Sequence, residues 1–283
     1  MTSPGRTTNL FLSPHPDDAA LSCGGLIAGL RARGEPVAIL TVFNGAGPLP
    51  RLTPYQRLAL GFGESGGGAG GSDAAPTPGQ IMAVRRAEDE GYARLVGASI
   101  AFLNLPDAVF RGYEGDDQLM GEPRLDDLPP VEELRAALAE ARPRSLYVPL
   151  SVGGHVDHRQ VRRAAIELLA GLASARPDRV LFYEDFPYAL TIGFERLDQL
   201  DPEIVESLPG RATLIPEYVG LGTLIDRKVQ GLAAYESQLG RLFGAGGGSD
   251  DDPVGAAVRA RAARIGELGG TGPAERYWRL TTT

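Results

Sequence analysis

Short apolar runs alternate with amphipathic stretches along most of this chain. The first run is Leu10-Phe11-Leu12, ended by Pro14, which predicts a buried strand. Over residues 19–33, Leu21, Leu26, Ile27 and Leu30 recur at helical spacing, and Gly34 follows where a helix end takes a left-handed residue. Residues 37–43 (VAILTVF) are rich in β-branched and apolar side chains, the mark of a strand buried on both faces. Ile81, Val84, Tyr92, Leu95 and Val96 predict a helix closing near Gly97, and residues 100–103 predict a strand. Pro130 fits a first helical position, with Val131, Leu134 and Leu138 as the apolar stripe behind it. Residues 146–150 (LYVPL) and 180–183 (VLFY) predict two more strands, with a helix between them carrying Val161, Ala165, Leu168, Leu169 and Leu172. A last helical stretch is expected over 224–239, containing Lys228 and Tyr235-Glu236-Ser237-Gln238. This alternation predicts an α/β, Rossmann-like fold with a mostly parallel sheet flanked by helices.

Two segments interrupt the pattern. Residues 61–79 and 246–253 are rich in Gly, Ser and Pro or Asp and bury too little apolar surface to offset the entropy of ordering them. Both are expected to be mobile, either passive insertions or a lid; the first should lie near the mouth of any site. Neither carries a phosphate-loop pattern. With no repeat and no clear linker, one domain over 1–283 is expected.

Composition narrows the function. A formal net charge of −8 argues against a broad nucleic-acid footprint. The single cysteine, Cys23, forms no intrachain disulfide and fits a reducing compartment. Neither a membrane span nor a signal-peptide core is visible, so a cytoplasmic protein is expected. Homo-oligomerisation is left open.

The three histidines, His15, His155 and His158, all fall in two short motifs. Ser13-Pro14-His15-Pro16-Asp17-Asp18 follows the first predicted strand, and Gly153-Gly154-His155-Val156-Asp157-His158 follows the LYVPL strand. Each precedes a predicted helix, so both turns open on the carboxyl edge of a parallel sheet, where ligands bind. A catalytic zinc takes three protein ligands from such residue types and keeps a position for water. His15, Asp18 and His158 form the candidate ligand set, although Asp18 could instead be an ordinary helix cap. Asp17 and His155 then remain as a carboxylate and an imidazole for general acid–base work.

The two motifs resemble those of the PIG-L/LmbE-like de-N-acetylase family, and the resemblance covers the N-terminal two-thirds of the chain. Arg85-Arg86-Ala87-Glu88 with Leu95-Val96-Gly97, then Leu105-Pro106-Asp107, resemble further family segments. Lys228 with Ser237-Gln238 resembles a C-terminal helix of many members. The resemblance implies Zn2+ (Fe2+ or another divalent metal as the alternative) on His15, Asp18 and His158. It implies Asp17 as general base and His155 as the group that stabilises the transition state or protonates the amine. It also implies Arg85 and Asp107 as contacts to the hydroxyls or phosphate of the substrate; Arg85 and Glu88, three apart, could equally pair on a solvated face. The expected reaction is hydrolysis of the amide of a small N-acylated, sugar-like amine. Two departures stand out: Asn44-Gly45-Ala46-Gly47-Pro48 replaces a Gly-Glu-Glu type of segment, and Ala19 replaces a final acidic residue of the first motif. Competing readings are an amidase on a non-sugar conjugate, a carbohydrate-binding protein with a residual metal site, and an iron oxygenase built on His15-Pro16-Asp17 with His158. The last usually sits on an all-β fold, against the alternation seen here.

Overall fold

A computed structural model describes residues 8–48, 51–61, 76–171, 176–200, 202, 206–208, 212–243 and 252–281. Its frame is a seven-stranded sheet in the order β3-β2-β1-β4-β5-β7-β6. The strands are β1 (Asn9–Ser13), β2 (Val37–Thr41), β3 (Ser99–Phe102), β4 (Ser145–Pro149), β5 (Arg179–Tyr183), β6 (Thr213–Gly220) and β7 (Ala274–Thr281). The first five pair in parallel, while β7 runs antiparallel to both β5 and β6. The expected α/β fold with a mostly parallel sheet is what the chain adopts.

Period-2 alternation on the central strand divides the core. Leu10 and Leu12 pack on one face with Leu134, Leu138, Val161 and Leu168; Phe11 packs on the other with Leu21, Ile27 and Tyr147. Apart from Tyr147 of β4, these packing partners come from helices α1 (Asp18–Ala32), α5 (Val131–Ala141) and α6 (Val156–Gly171). Helix α3 (Pro78–Val96) begins at a Thr77/Gln80 capping box and ends at Gly97 with φ 75°. The short helices α2 (Pro54–Ala59), α4 (Asp116–Leu119) and α7 (Tyr188–Thr191) lie in connections.

Several expectations need correction. Pro130 is the N-cap of α5, at φ −77° and ψ 61°, rather than its first helical residue. The stretch 224–239 is two helices, α8 (Leu224–Leu232) and α9 (Glu236–Phe243). Tertiary bonds favour the break: the Tyr235 hydroxyl donates to Asp89 at 2.7 Å, and the Ser237 N–H donates to Glu88 at 2.8 Å. A further helix, α10 (Pro253–Gly269), and the antiparallel strands β6 and β7 complete the chain. Of the segments expected to be mobile, 62–75 and 246–251 lie outside the described residues, as does Leu172, while Pro78 and Gly79 open α3 and Pro253 opens a helix instead. Among the described residues, no helix is long and apolar enough to cross a membrane.

Strand β7 also braces α1. The N–H groups of Gly25 and Leu26 donate to the Glu275 carboxylate at 2.9 and 2.8 Å, and Lys228 donates to it at 2.8 Å. A Cβ on Gly25 would lie 2.5 Å from Leu221 Cδ2 and 3.0 Å from Glu275 Oε1, so this close approach requires glycine.

Candidate active site

The strand order reverses between β1 and β4, and the turns leaving these two strands carry the histidine motifs. After β1, Ser13 Oγ donates to the His15 carbonyl at 2.7 Å and accepts from the Ala19 N–H at 3.0 Å, closing the turn. Asp17 is held at φ 107° and ψ −35°, a conformation that non-glycine residues avoid at a cost of about 1–3 kcal/mol. It precedes α1 without making a side-chain cap. After β4, Ser151, Gly153 and Gly154 all have positive φ. A Cβ on Gly153 would lie 2.6 Å from the Tyr188 side chain, so glycine lets that ring close over the turn.

The two turns, with Arg85 from α3 and Asp107 from the connection after β3, bring the candidate residues to one place. His15, Asp17, Asp18, Arg85, Asp107 and His155 line one cavity, with Tyr188, Gln238 and Arg241 among its other walls. The seventh candidate, His158, is 1% exposed and lies edge-on to Tyr188. Asp18 Oδ2 lies 3.3 Å from His15 Nδ1 and 3.3 Å from His158 Nε2, and it accepts the His15 N–H at 2.8 Å. The other ring nitrogen of each histidine is held by a carboxylate: His15 Nε2 by Asp157 at 2.8 Å, His158 Nδ1 by Asp185 at 2.6 Å. His155 Nδ1 accepts the Asp157 N–H at 3.2 Å. The neutral ring therefore carries its proton on Nε2.

Arg85 does not pair with Glu88 on a solvated face. Its guanidinium is 3.5 Å from Asp107, while Glu88 accepts from Ser237. Asp107 also accepts the Val109 N–H at 3.1 Å, so it both closes a turn and faces the cavity.

Burial and crowding set the proton affinities. Burial, then the neighbouring Asp18 charge, pushes the Asp17 carboxyl up to about 8. Burial opposes ionisation of Asp18 too, but His158 and His15 hold that carboxyl well below its usual range. Burial, reinforced by charge on His15, drives His155 well below the usual imidazole value. Burial works against charge on His158, and Asp18 and Asp185 overcome it, raising that ring.

The donor set fits a divalent cation. His158 Nε2 is buried and, although 3.3 Å from Asp18 Oδ2, makes no well-formed hydrogen bond, a cost of about 1–3 kcal/mol unless something occupies it. Histidines whose second nitrogen is held by a carboxylate are the usual metal-ligand arrangement. The three imidazoles of His15, His155 and His158 each offer a nitrogen within 4.8 Å of the others, so this buried group could hold a metal ion; Asp18 is not part of it. A second grouping, His15 with Asp107 and Asp157, meets the same distance criterion. There the carboxylates already face arginines, Asp157 at 2.5 Å from Arg111 and Asp107 at 3.5 Å from Arg85, so a cation gains less.

Residues 10–169 match the PIG-L family, described as GlcNAc-PI de-N-acetylase. The chain belongs to the PIG-L family. A 2'-N-acetylparomamine deacetylase of Streptomyces fradiae is 34% identical over 240 residues, covering 83% of this chain and 74% of that protein. A second 2'-N-acetylparomamine deacetylase, from Niallia circulans, is 30% identical over 63% of this chain and 66% of its own length. Among solved structures, the A40926 pseudoaglycone deacetylase Dbv21 superposes with TM-score 0.71 at 24% identity, covering 98% of each chain. The zinc-inhibited form of teicoplanin deacetylase Orf2 gives TM-score 0.72 at 21% identity, covering 98% of this chain and 99% of that one. Its family membership and curated relatives make the protein an enzyme of the deacetylase type.

Four supporting residues escaped the sequence reading. Asp157 sits inside the second motif, in the first turn of α6, and Asp185 lies two residues beyond β5; position near the carboxyl edge of the sheet was the available signal for both. Arg111 and Asp89 carry no local signal, because their partners come from distant segments.

Proposed function

We propose that this PIG-L member hydrolyses the amide of an N-acetylated amino sugar or amino-sugar conjugate with the help of zinc. The observation that carries the reading is the convergence of two ring nitrogens, His15 Nδ1 and His158 Nε2, each 3.3 Å from Asp18 Oδ2. His15, Asp18 and His158 would hold the ion. When bound, a divalent cation supplies Lewis acidity, which polarises an amide carbonyl and acidifies water. The deacetylase relatives that act on acetylated paromamine support the substrate class.

The remaining steps belong to the chain. Asp17 takes a proton from the attacking water. Its raised affinity suits it to hold that proton, and a cation beside it favours the ionised starting form. His155, neutral with its proton on Nε2, donates a hydrogen bond to the developing oxyanion. Asp17 then returns its proton to the leaving nitrogen, the C–N bond breaks, and a carboxylate and a free amine result. Arg85 and Asp107 would grip the hydroxyls or an anionic group of the substrate. The lone buried Cys23 is in keeping with a cytoplasmic setting.

The test is release of free amine from a panel of N-acetylated amino sugars, sugar conjugates and non-sugar amides. Turnover of amino-sugar amides that a chelator abolishes and zinc restores is expected. Turnover confined to non-sugar amides, or unaffected by chelation, would overturn the reading.

A further inference from the structure

One wall of the cavity comes from a helix that has no part in the chemistry above. Gln238, Arg241 and Leu242 of α9 all line it. They stand three and four residues apart, so they share one face of the helix. Contacts to distant segments fix this helix at both ends. The first N–H groups of a helix lack intrahelical partners, and an anion beside them suits the helix dipole. The Glu88 carboxylate of α3 fills that place: it accepts the Ser237 N–H at 2.8 Å and the Ser237 Oγ–H at 2.6 Å. Gln238, 1% exposed, donates to the Leu60 carbonyl at the end of α2 at 3.1 Å. At the far end, the Phe243 ring lies 5.7 Å from that of Phe186, just before Tyr188 of the same cavity.

The cation carried on this wall is uncommitted. Arg241 is exposed, and among the described residues it makes no hydrogen bond or ion pair, although Asp17, Asp18 and Asp107 line the same cavity. Arg85, the other arginine of the lining, differs. It stands 3.5 Å from Asp107, so the two charges offset one another and the pair suits neutral hydroxyls. A free guanidinium instead offers a planar fork of donors that matches a phosphate or a carboxylate. The candidate metal ligands are buried and Arg241 is exposed. An acetamide held among the ligands therefore leaves the outer part of the substrate to meet the arginine.

We infer that Arg241 is a specificity-determining residue: it selects N-acetylated amino sugars that carry an anionic group, a phosphate or a carboxylate, away from the acetamide, and Glu88 holds its helix in place. The inference rests on the amino-sugar reading above and narrows it. The contact is made at the mouth and not at the reacting bond, so it is the same in the ground state and the transition state and falls on KM.

The test compares kcat/KM for four sugars: N-acetylglucosamine, its anomeric phosphate, its phosphate on the primary hydroxyl, and N-acetylmuramic acid, whose added group is a carboxylate. The wild type should favour at least one anionic sugar over N-acetylglucosamine by at least about tenfold, the scale of one charge-assisted hydrogen bond. Arg241→Ala should cut that preference by at least about tenfold, through KM on the anionic sugar. Arg241→Lys, which keeps the charge, should restore part of it. The preference should also shrink as salt rises, because an exposed charge is screened. Glu88→Gln, of the same shape without the charge, should lower the preference by a smaller factor than Arg241→Ala. Circular dichroism and elemental analysis should find fold and metal content unchanged in the Arg241 variants. A wild type with no preference for an anionic sugar, or a preference that survives Arg241→Ala, overturns the inference. Turnover of N-acetylglucosamine without such a preference removes this inference alone; turnover of none of the four sugars removes the amino-sugar reading with it.

Discussion

Among the described residues, two buried clusters of charge are built differently. In the C-terminal cluster every carboxylate is answered. Glu275 accepts from Gly25, Leu26, Lys228 and Tyr277, and Glu184 accepts from Arg261, Arg276 and Trp278. In the cluster between β1 and β4, like charges adjoin at Asp17 and Asp18, and His158 Nε2 and Arg85 Nε make no hydrogen bond, whereas in the first cluster only Arg276 Nη2 is left so. Burying polar groups is tolerable when they are paired and costly when they are not. The first cluster therefore reads as a brace for the fold. The second keeps its unmet valences for a cation and a substrate.

Substitutions sharpen the contrast. Asp17→Asn should keep the fold while lowering kcat by at least about 10²-fold, the scale of general acid–base catalysis. Loss of metal in that variant would show that the roles of Asp17 and Asp18 are exchanged; full activity would place the base elsewhere. Lys228→Met should do the reverse. It removes the one cation paired with the buried Glu275 carboxylate and should destabilise the protein by about 3 kcal/mol in denaturant unfolding. Turnover at temperatures where the variant is folded should stay within about threefold. A variant of wild-type stability with crippled kinetics would mean that the two clusters are not separable.

The same contrast explains what could be read from the sequence. Strands β1, β2, β4 and β5 were legible because central parallel strands are buried on both faces and write continuous apolar runs. Strand β7 was not, because Glu275, Arg276 and Arg279 interrupt its apolar pattern, and only the fold reveals that the first two are buried and paired. The break at Ala233–Tyr235 was hidden for a similar reason: it is favoured by Glu88 and Asp89, far away in sequence. The candidate metal ligands stood out because histidine is scarce here and all three fall after predicted strands. Asp89, Asp185 and Arg111 are common residue types whose roles arise only from tertiary contact.

The proposed chemistry depends above all on the metal. Elemental analysis of the purified wild-type protein and of His158→Ala, with circular dichroism on both, tests it most directly. One divalent ion per chain in the wild type, and its loss from a variant that keeps the wild-type spectrum, is the predicted result. Full occupancy in His158→Ala, or no stoichiometric metal in a catalytically active wild type, would contradict it.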